Sequence, residues 1–154
     1  MLNQFSRTEL LFGKQAMEKL AASRVAVFGI GGVGGYTVEA LVRSGVGTVD
    51  LIDDDRICLT NINRQIYATR KTVGKYKVDV AAERIHEINP DAVVNTYKTF
   101  YTPETADQFD FTEYDCRMTQ NRNRTTETVV NRLTANKPYK NGSICRLMFK
   151  RPAD

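Results

Sequence analysis

The stretch that decides the fold reads Val25-Ala26-Val27-Phe28-Gly29-Ile30-Gly31-Gly32-Val33-Gly34. Its first half continues a short β-rich run that starts at Arg24 and is typical of a buried strand. The second half matches the pattern G-x-G-x-x-G, and residues 34–44 then place apolar side chains on one helical face. A strand that passes through such a turn into a helix is the context in which the pattern indicates nucleotide binding.

Each glycine of the turn has its own expected task. Gly29 allows the tight turn, Gly31 lets a phosphate approach the backbone, and Gly34 lets the helix pack closely on the strand. Gly32 belongs to the same nucleotide-binding turn. The N-terminus of the following helix offers free N–H groups and a positive dipole end to phosphate.

An acid follows the second strand, where a nucleotide-binding fold holds the ribose. Residues 48–52 form another β-rich run, and Asp53-Asp54-Asp55 come directly after it. The carboxylate of Asp53 is predicted to accept a hydrogen bond from a ribose hydroxyl. The pattern G-x-x-x-x-G-K-[ST] is absent from the sequence, so a P-loop is not expected.

Strands and helices alternate outward from this centre. An amphipathic helical segment at 4–20, broken near Gly13, precedes the first strand, and a helix at 74–89 follows the second. A third strand begins at residue 92, and Thr102-Pro103-Glu104 is typical of the start of another helix. The order predicts an α/β fold, a Rossmann-like parallel sheet with crossover helices that is incomplete at its C-terminal side.

Charge divides the 154 residues into two parts. Residues 1–115 hold 13 Lys and Arg against 16 Asp and Glu, whereas residues 116–154 hold 9 against 2. The nucleotide-binding pattern therefore lies in a part of net charge −3, and a tail of net charge +7 carries the basic character. We predict the N-terminal part of a Rossmann-like domain over 1–115 and a poorly ordered basic tail over 116–154.

The composition disfavours several classes of protein. No apolar run approaches the ~20 residues of a membrane-spanning helix, and the N-terminus lacks a secretory signal pattern. Cys58, Cys116 and Cys145 form no Cys-x-x-Cys pair, so neither a disulfide framework nor a zinc site is expected. Cys58 fits a small buried hydrophobe, and the sole histidine, His86, fits a helix surface. We expect a cytoplasmic protein without membrane contact.

The segment after the second strand carries polar and basic side chains that a dinucleotide dehydrogenase does not need. It contains Asn61, Arg64 and Gln65, and Lys77 follows near the start of the next helix. Arg and Lys neutralise charge on a departing phosphate, and amides orient its oxygens. We predict that Arg64 and Lys77 act in catalysis on a triphosphate.

Four segments together resemble the ThiF/MoeB/HesA superfamily, the ubiquitin-activating-enzyme-like adenylators of carboxylates. The segments are 29–34, 51–55, 61–65 and 73–78, and the resemblance covers about residues 4–115. Within the superfamily, the early Phe5-Ser6-Arg7, the triple Asp and the runs 45–47 and 59–68 are similar to the branch that dehydrates threonylcarbamoyladenosine in tRNA.

The resemblance implies ATP with Mg²⁺ as the cofactors and a homodimer as the assembly. The residues implied to contact ATP are Gly29, Gly31, Gly32, Gly34, Asp53, Asp55, Asn61, Arg64, Gln65 and Lys77. Arg7 matches a basic residue that reaches across the dimer interface to the partner's ATP. No metal ligand is assigned, because the family's metal-positioning acid has no match after Asp115.

In the implied reaction the threonyl carboxylate of the modified adenosine displaces pyrophosphate from ATP, and ring closure then expels AMP. Three alternatives stay open. The chain could adenylate the C-terminus of a ubiquitin-like sulfur carrier, with a cysteine desulfurase or sulfur-acceptor system as partner. It could also be a non-catalytic nucleotide-binding module or an NAD-dependent dehydrogenase. Because the family's next strand has no match here, we predict a truncated or frameshifted chain with weak nucleotide binding and little adenylation.

Overall fold

The computed structural model describes residues 3–102 and 104–119. Its helices and strands are α1 (Ser6–Phe12), α2 (Lys14–Ala22), β1 (Arg24–Phe28), α3 (Gly32–Ser44), β2 (Thr48–Ile52), α4 (Lys77–Ile88), β3 (Val93–Tyr97) and β4 (Cys116–Thr119). Short 3₁₀ turns lie at Leu59–Asn61, Ala106–Gln108 and Phe111–Glu113. Among the helices of these described ranges, none is both long and apolar enough to cross a membrane.

The four strands form one parallel sheet in the order β3-β2-β1-β4. In this register Arg24 of β1 lies opposite Thr48 of β2, and Thr48 lies opposite Val93 of β3. The order is that of the first strands of a doubly wound nucleotide-binding sheet. The predicted α/β fold with a parallel sheet and crossover helices is confirmed.

The two faces of the sheet are covered by different kinds of structure. Alternate residues of a strand face opposite sides, so Val25 and Val27 pack in the core with apolar residues of α3 and α4. Ala26 and Phe28 face the other side, where the described residues form an aromatic cluster instead of a helical layer. The other buried members of this cluster are Ile52, Tyr101, Phe109, Phe111 and Tyr114.

The prediction of a helix that begins at Thr102-Pro103-Glu104 is wrong for the residues that the structure describes. Pro103 lies outside the described residues, and residues 104–114 contain two 3₁₀ turns instead of an α-helix. The Thr102 N–H donates to Oγ1 of Thr105 at 2.8 Å, and the Thr112 N–H donates to Oδ1 of Asp110 at 3.0 Å. Such side-chain bonds to backbone compete with helical hydrogen bonding.

The expectation that no buried strand follows Asp115 is also wrong. Cys116–Thr119 forms β4 and pairs in parallel with β1, with Val25 opposite Cys116. Met118 is buried in the core on the helical face. The strand forms because its backbone pairs with β1. The sequence of this segment is only weakly apolar and therefore does not predict a strand. The predicted disordered and frameshifted tail begins at residue 116, and its remainder, residues 120–154, lies outside the described part of the chain.

The turn between α3 and β2 packs against the end of α2. The Gly47 N–H donates to the Leu20 carbonyl at 3.1 Å, and a Cβ built on Gly47 would lie 1.8 Å from the carbonyl oxygen of Ala21. Because the obstructing atom is backbone, the turn itself must move. We expect Gly47→Ala to lower the free energy of unfolding by about 3 kcal/mol, measured by urea denaturation.

Gly13 provides the matched control. It forms the predicted break between α1 and α2, has a φ of 81°, and has no atom within 4 Å of a built Cβ. Gly13→Ala therefore introduces only backbone strain, since φ 81° with ψ 162° is a conformation essentially confined to glycine, and the expected cost is about 2 kcal/mol. Equal losses in the two variants would contradict the steric explanation.

Candidate nucleotide site

A cavity of about 310 Å³ lies at the carboxyl ends of β1 and β2. This is the edge of a parallel sheet at which ligands bind in open α/β folds, and the volume is typical of a small-molecule site. The lining residues are Phe28, Gly29, Gly31, Gly32, Val33, Ile52, Asp53, Asp54, Asp55, Arg64, Gln65, Lys77, Thr99, Phe100 and Tyr101.

The glycine turn forms one wall of this cavity. Gly29 has a φ of 89°, as the tight turn requires, and its N–H donates to the Ile52 carbonyl at 2.8 Å. Helix α3 begins at Gly32, so Gly34 lies inside its first turn, where it is buried and does not line the cavity. No side chain caps the N-terminus of α3. Its first N–H groups therefore lie at the wall and suit an anion.

Gly35 allows the polar segment to pack against α3, which the sequence reasoning missed. A Cβ built on Gly35 would lie 3.0 Å from Cγ2 of Ile66. The Tyr67 hydroxyl donates to the Gly35 carbonyl at 3.1 Å. Because Tyr67 is fixed on the helix, Arg64 and Gln65, just before it, are held beside the glycine turn. The doublet Gly34-Gly35 was the available signal.

Asp53 lies at the centre of the cavity floor. Its Oδ2 accepts from the Ile30 N–H at 2.6 Å, and its Oδ1 accepts from the Asp55 N–H at 2.9 Å. The carboxylate thus joins the glycine turn to the loop after β2. Burial raises the pKa of Asp53, while the two N–H donors and the Lys77 ammonium oppose the rise.

The raised pKa predicts a pH effect on stability. The native chain holds the Asp53 proton more tightly than the unfolded chain, so this group destabilises the fold as pH rises from its ordinary pKa of 3.8 through the raised value. Asp53→Asn cannot ionise and keeps an acceptor for Ile30. We expect the wild-type free energy of unfolding to fall relative to that of the variant as pH increases. Urea unfolding of both proteins between about pH 4 and about pH 8 measures this difference. A difference that is constant with pH would contradict the prediction.

Lys77 and the three aspartates form the charged side of the cavity. Lys77 is buried, with Nζ 2.5 Å from Oδ2 of Asp55 and 3.5 Å from Oδ1 of Asp53. Carboxylate oxygens of Asp53, Asp54 and Asp55 lie within 4.8 Å of one another. Oxygen donors of this kind suit Mg²⁺, although the Lys77 ammonium already neutralises part of their charge.

Arg64 and Gln65 lie against the glycine turn. A Cβ on Gly32 would lie 3.5 Å from the Arg64 carbonyl oxygen, and one on Gly31 would lie 3.8 Å from Nε2 of Gln65. The Arg64 side chain is exposed, and its Nη1 donates to the Thr60 carbonyl at 2.9 Å. A basic side chain and an amide thus flank the uncapped end of α3, a combination suited to phosphate.

Two more residues predicted to contact ATP, like Gly34, do not line the cavity. Asn61 is buried, and its Oδ1 accepts from the Cys58 N–H at 3.2 Å, so it shapes its own turn. Arg7 is exposed on α1. The predicted burial of Cys58 is wrong: the residue is exposed, and a hydrogen bond with the Thr60 hydroxyl at 3.1 Å lowers the pKa of its thiol.

The part of the cavity lining that follows β3 was not predicted. Thr99, Phe100 and Tyr101 follow β3 and line the cavity. Phe100 is partly exposed, whereas Tyr101 is buried with its ring centroid 5.0 Å from that of Phe28. These residues could have been found from the rule that ligands contact the carboxyl ends of successive strands. An exposed aromatic ring here suits a planar base.

Residues 5–145 match the ThiF family. The tRNA threonylcarbamoyladenosine dehydratase of Bacillus subtilis (strain 168) is 53% identical over 109 residues, which are 71% of this chain and 43% of the relative. The adenylyltransferase and sulfurtransferase uba4 of Aspergillus clavatus is 39% identical over 103 residues, 67% of this chain and 21% of the relative. The chain thus spans less than half the length of these curated relatives.

A solved structure shares both fold and sequence with the chain. The E. coli tRNA N6-threonylcarbamoyladenosine dehydratase TcdA, crystallised in complex with ATP, matches with a TM-score of 0.81 and 38% identity. The match covers 87% of this chain and 56% of that chain. Together with the family match, which continues past Asp115, it extends the resemblance beyond the segments recognised in the sequence.

Proposed function

The chain belongs to the ThiF family, and we propose that its cavity binds ATP and serves the adenylation of a carboxylate. One observation carries this proposal: Arg64, Lys77 and Asp53 line the same cavity as the uncapped N-terminus of α3. The cavity therefore combines donors for phosphate with an acceptor for ribose. The relative crystallised with ATP supports the choice of nucleotide.

The residues take the following roles in this proposal. The first N–H groups of α3 and the Arg64 guanidinium hold the phosphates, and Asp53 accepts from the ribose. Lys77, which lies 2.5 Å from Asp55, turns toward the phosphates when they arrive. ATP supplies the phosphorus that the substrate carboxylate attacks. Arg64 and Lys77 then stabilise the charge on the departing pyrophosphate, where a single such donor contributes about 3 kcal/mol to a transition state.

We propose threonylcarbamoyladenosine in tRNA as the substrate, since two relatives at 53% and 45% identity bear that activity in their names. We propose the cytoplasm as the location of this reaction. The second candidate function is adenylation of a sulfur-carrier C-terminus, with a sulfur-transfer partner. The similarity to uba4, an adenylyltransferase and sulfurtransferase, supports this candidate.

Two further elements of the proposal are a magnesium ion and a dimer. Mg²⁺ would be held near Asp53 and Asp55, whose oxygens suit it. Helix α1 exposes Leu10, Leu11 and Phe12 at 86%, 80% and 67% of their surface, on the element that carries Arg7. Covering this apolar run with a second copy would bring Arg7 to an interface.

A chimera tests the function. Residues 1–115 of this chain replace the matching residues of the Bacillus subtilis relative, which supplies the remaining length. We expect ATP–pyrophosphate exchange that depends on tRNA carrying threonylcarbamoyladenosine, and cyclised nucleoside in the digested tRNA by mass spectrometry. The chain by itself is expected to bind ATP and to show little exchange.

The same chimera with Arg64→Ala and Lys77→Ala is the control, and it should lose exchange about 1,000-fold or more. Exchange that requires a sulfur-carrier protein and ignores tRNA would support the second candidate. A chimera that folds, as judged by circular dichroism, yet exchanges with neither substrate would contradict adenylation by these residues.

A further inference from the structure

Residues 56–76, which follow the three aspartates in the connection between β2 and α4, form a closed loop with its own folded geometry, and we call them the crossover loop. Arg56 and Tyr76 form an antiparallel bridge at its two ends. The Ile57 N–H donates to the Lys75 carbonyl at 2.9 Å, and the Gly74 N–H donates to the Ile57 carbonyl at 2.8 Å. The loop is therefore a compact surface element rather than an extended linker.

The crossover loop carries five basic residues and no acid, and the three aspartates Asp53–Asp55 directly precede it. Its charged residues are Arg56, Arg64, Arg70, Lys71 and Lys75, and all five are exposed. Residues 1–115 as a whole have a net charge of −3. Five of the 13 Lys and Arg residues in 1–115 therefore lie in this one loop.

These basic side chains form fewer ion pairs than the other basic side chains in the described part of the chain. Outside the loop, carboxylates lie within 4.0 Å of Lys14, Arg24, Arg43, Lys77, Arg84 and Lys98, while Arg7 and Lys19 have no such partner among the described residues. Within the loop, only Lys75 has such a partner among the described residues, Glu83 at 3.6 Å. Arg70 and Lys71 are thus available to an external anion, whereas Arg56 donates to the Gly74 carbonyl and Arg64 lines the nucleotide cavity.

Hydrogen bonds of the loop place Arg56 beside the turns that carry Arg70 and Lys71, and Arg64 lies at the cavity. Arg70 and Lys71 lie in a run of turns in which the Thr72 N–H donates to the Thr69 carbonyl and the Lys75 N–H donates to the Thr72 carbonyl, both at 3.1 Å. Arg56 donates to the Gly74 carbonyl at 2.8 Å, which fixes it beside the end of that run. Arg64 lines the cavity mouth.

We propose that the crossover loop docks the phosphate backbone of the RNA substrate beside the nucleotide cavity. This inference rests on the proposed function, which places an RNA nucleoside at the same cavity. Guanidinium and ammonium groups free of internal ion pairs bind phosphates and release the counterions condensed there. The loop thereby orients the RNA, while the cavity residues perform the chemistry.

The test uses the whole chain with fluorescently labelled bulk tRNA in an anisotropy titration at several salt concentrations. The double variant Arg70→Glu with Lys71→Glu changes two exposed residues that do not line the cavity. We expect tRNA binding to weaken about 10-fold or more and the salt dependence to become shallower by about 1.5 in log–log slope. ATP binding should stay unchanged, because no cavity residue is altered.

The double variant Lys14→Glu with Lys19→Glu is the matched control, since it makes the same charge change on exposed residues of α2. Residues 116–154 are the same in every protein compared. Equal weakening by both double variants, or no weakening by the loop variant, would overturn the proposal even if ATP still binds. If the loop variant lost binding to polyglutamate but kept binding to tRNA, the proposal would also be overturned, in favour of an acidic protein partner. Failure of the wild-type chain to bind ATP would count against the proposed function itself.

Discussion

Replacing Arg64 with alanine is expected to weaken ATP binding about 30-fold and to leave adenosine binding unchanged. Arg64 lines the cavity beside the first turn of α3, so its guanidinium is placed to meet phosphate rather than base or ribose. A hydrogen bond to a charged partner contributes about 1.5–3 kcal/mol, which corresponds to about 10- to 150-fold in affinity.

The variant separates binding from folding because the Arg64 side chain is exposed and donates only to nearby Thr60 and Asn63. Isothermal titration calorimetry with ATP and with adenosine measures both affinities. Arg70→Ala removes an exposed arginine outside the cavity and should change neither. Equal weakening of ATP and adenosine in the Arg64 variant would contradict the phosphate role.

Replacing Asp50 with alanine is expected to reduce the free energy of unfolding by about 3–5 kcal/mol. Asp50 is completely buried in β2 and accepts hydrogen bonds from Arg24 at 2.8 Å, from Asn95 at 2.8 Å and from the Tyr114 hydroxyl at 2.7 Å. The carboxylate raises the pKa of Arg24, and burial together with Asp50 raises that of Tyr114. Removing it leaves a part-buried cation and several buried donors without their acceptor.

Urea denaturation measures the loss, and Asp91→Ala, at an exposed turn position, should stay within about 0.5 kcal/mol of wild type. Adding Arg24→Met to the Asp50 variant removes the stranded cation and should restore part of the stability. A loss no larger than that of Asp91→Ala would show that the Asp50 network does not hold the sheet together.

The sequence predicts the elements whose cause is local. The glycine turn, the acid after β2 and the strand–helix alternation each follow from residues close together in the chain. Arg64, Gln65 and Lys77 were found because their side chains are chemically unusual behind a nucleotide-binding turn. The structure brings these residues together with Asp53 in one cavity.

Features that depend on contacts between distant residues were missed. In the sequence, Asp50 is a single polar residue within a predicted strand. Its hydrogen-bond partner Tyr114 is distant in the chain, so the pair could not be predicted. The aromatic wall at Tyr101 exists because the segment after β3 folds back onto Phe28. Asn61 is the converse case, since this predicted phosphate contact accepts a hydrogen bond within its own turn and is not part of the cavity lining.

The most direct test of the central claim is equilibrium binding of ATP to this chain, with NAD⁺ as the competitor. The charged cavity, with Arg64 and Lys77 near the start of α3, predicts that ATP binds and that NAD⁺ displaces it poorly. No detectable ATP binding by correctly folded chain, or NAD⁺ binding more tightly than ATP, would contradict the assignment of this cavity to ATP.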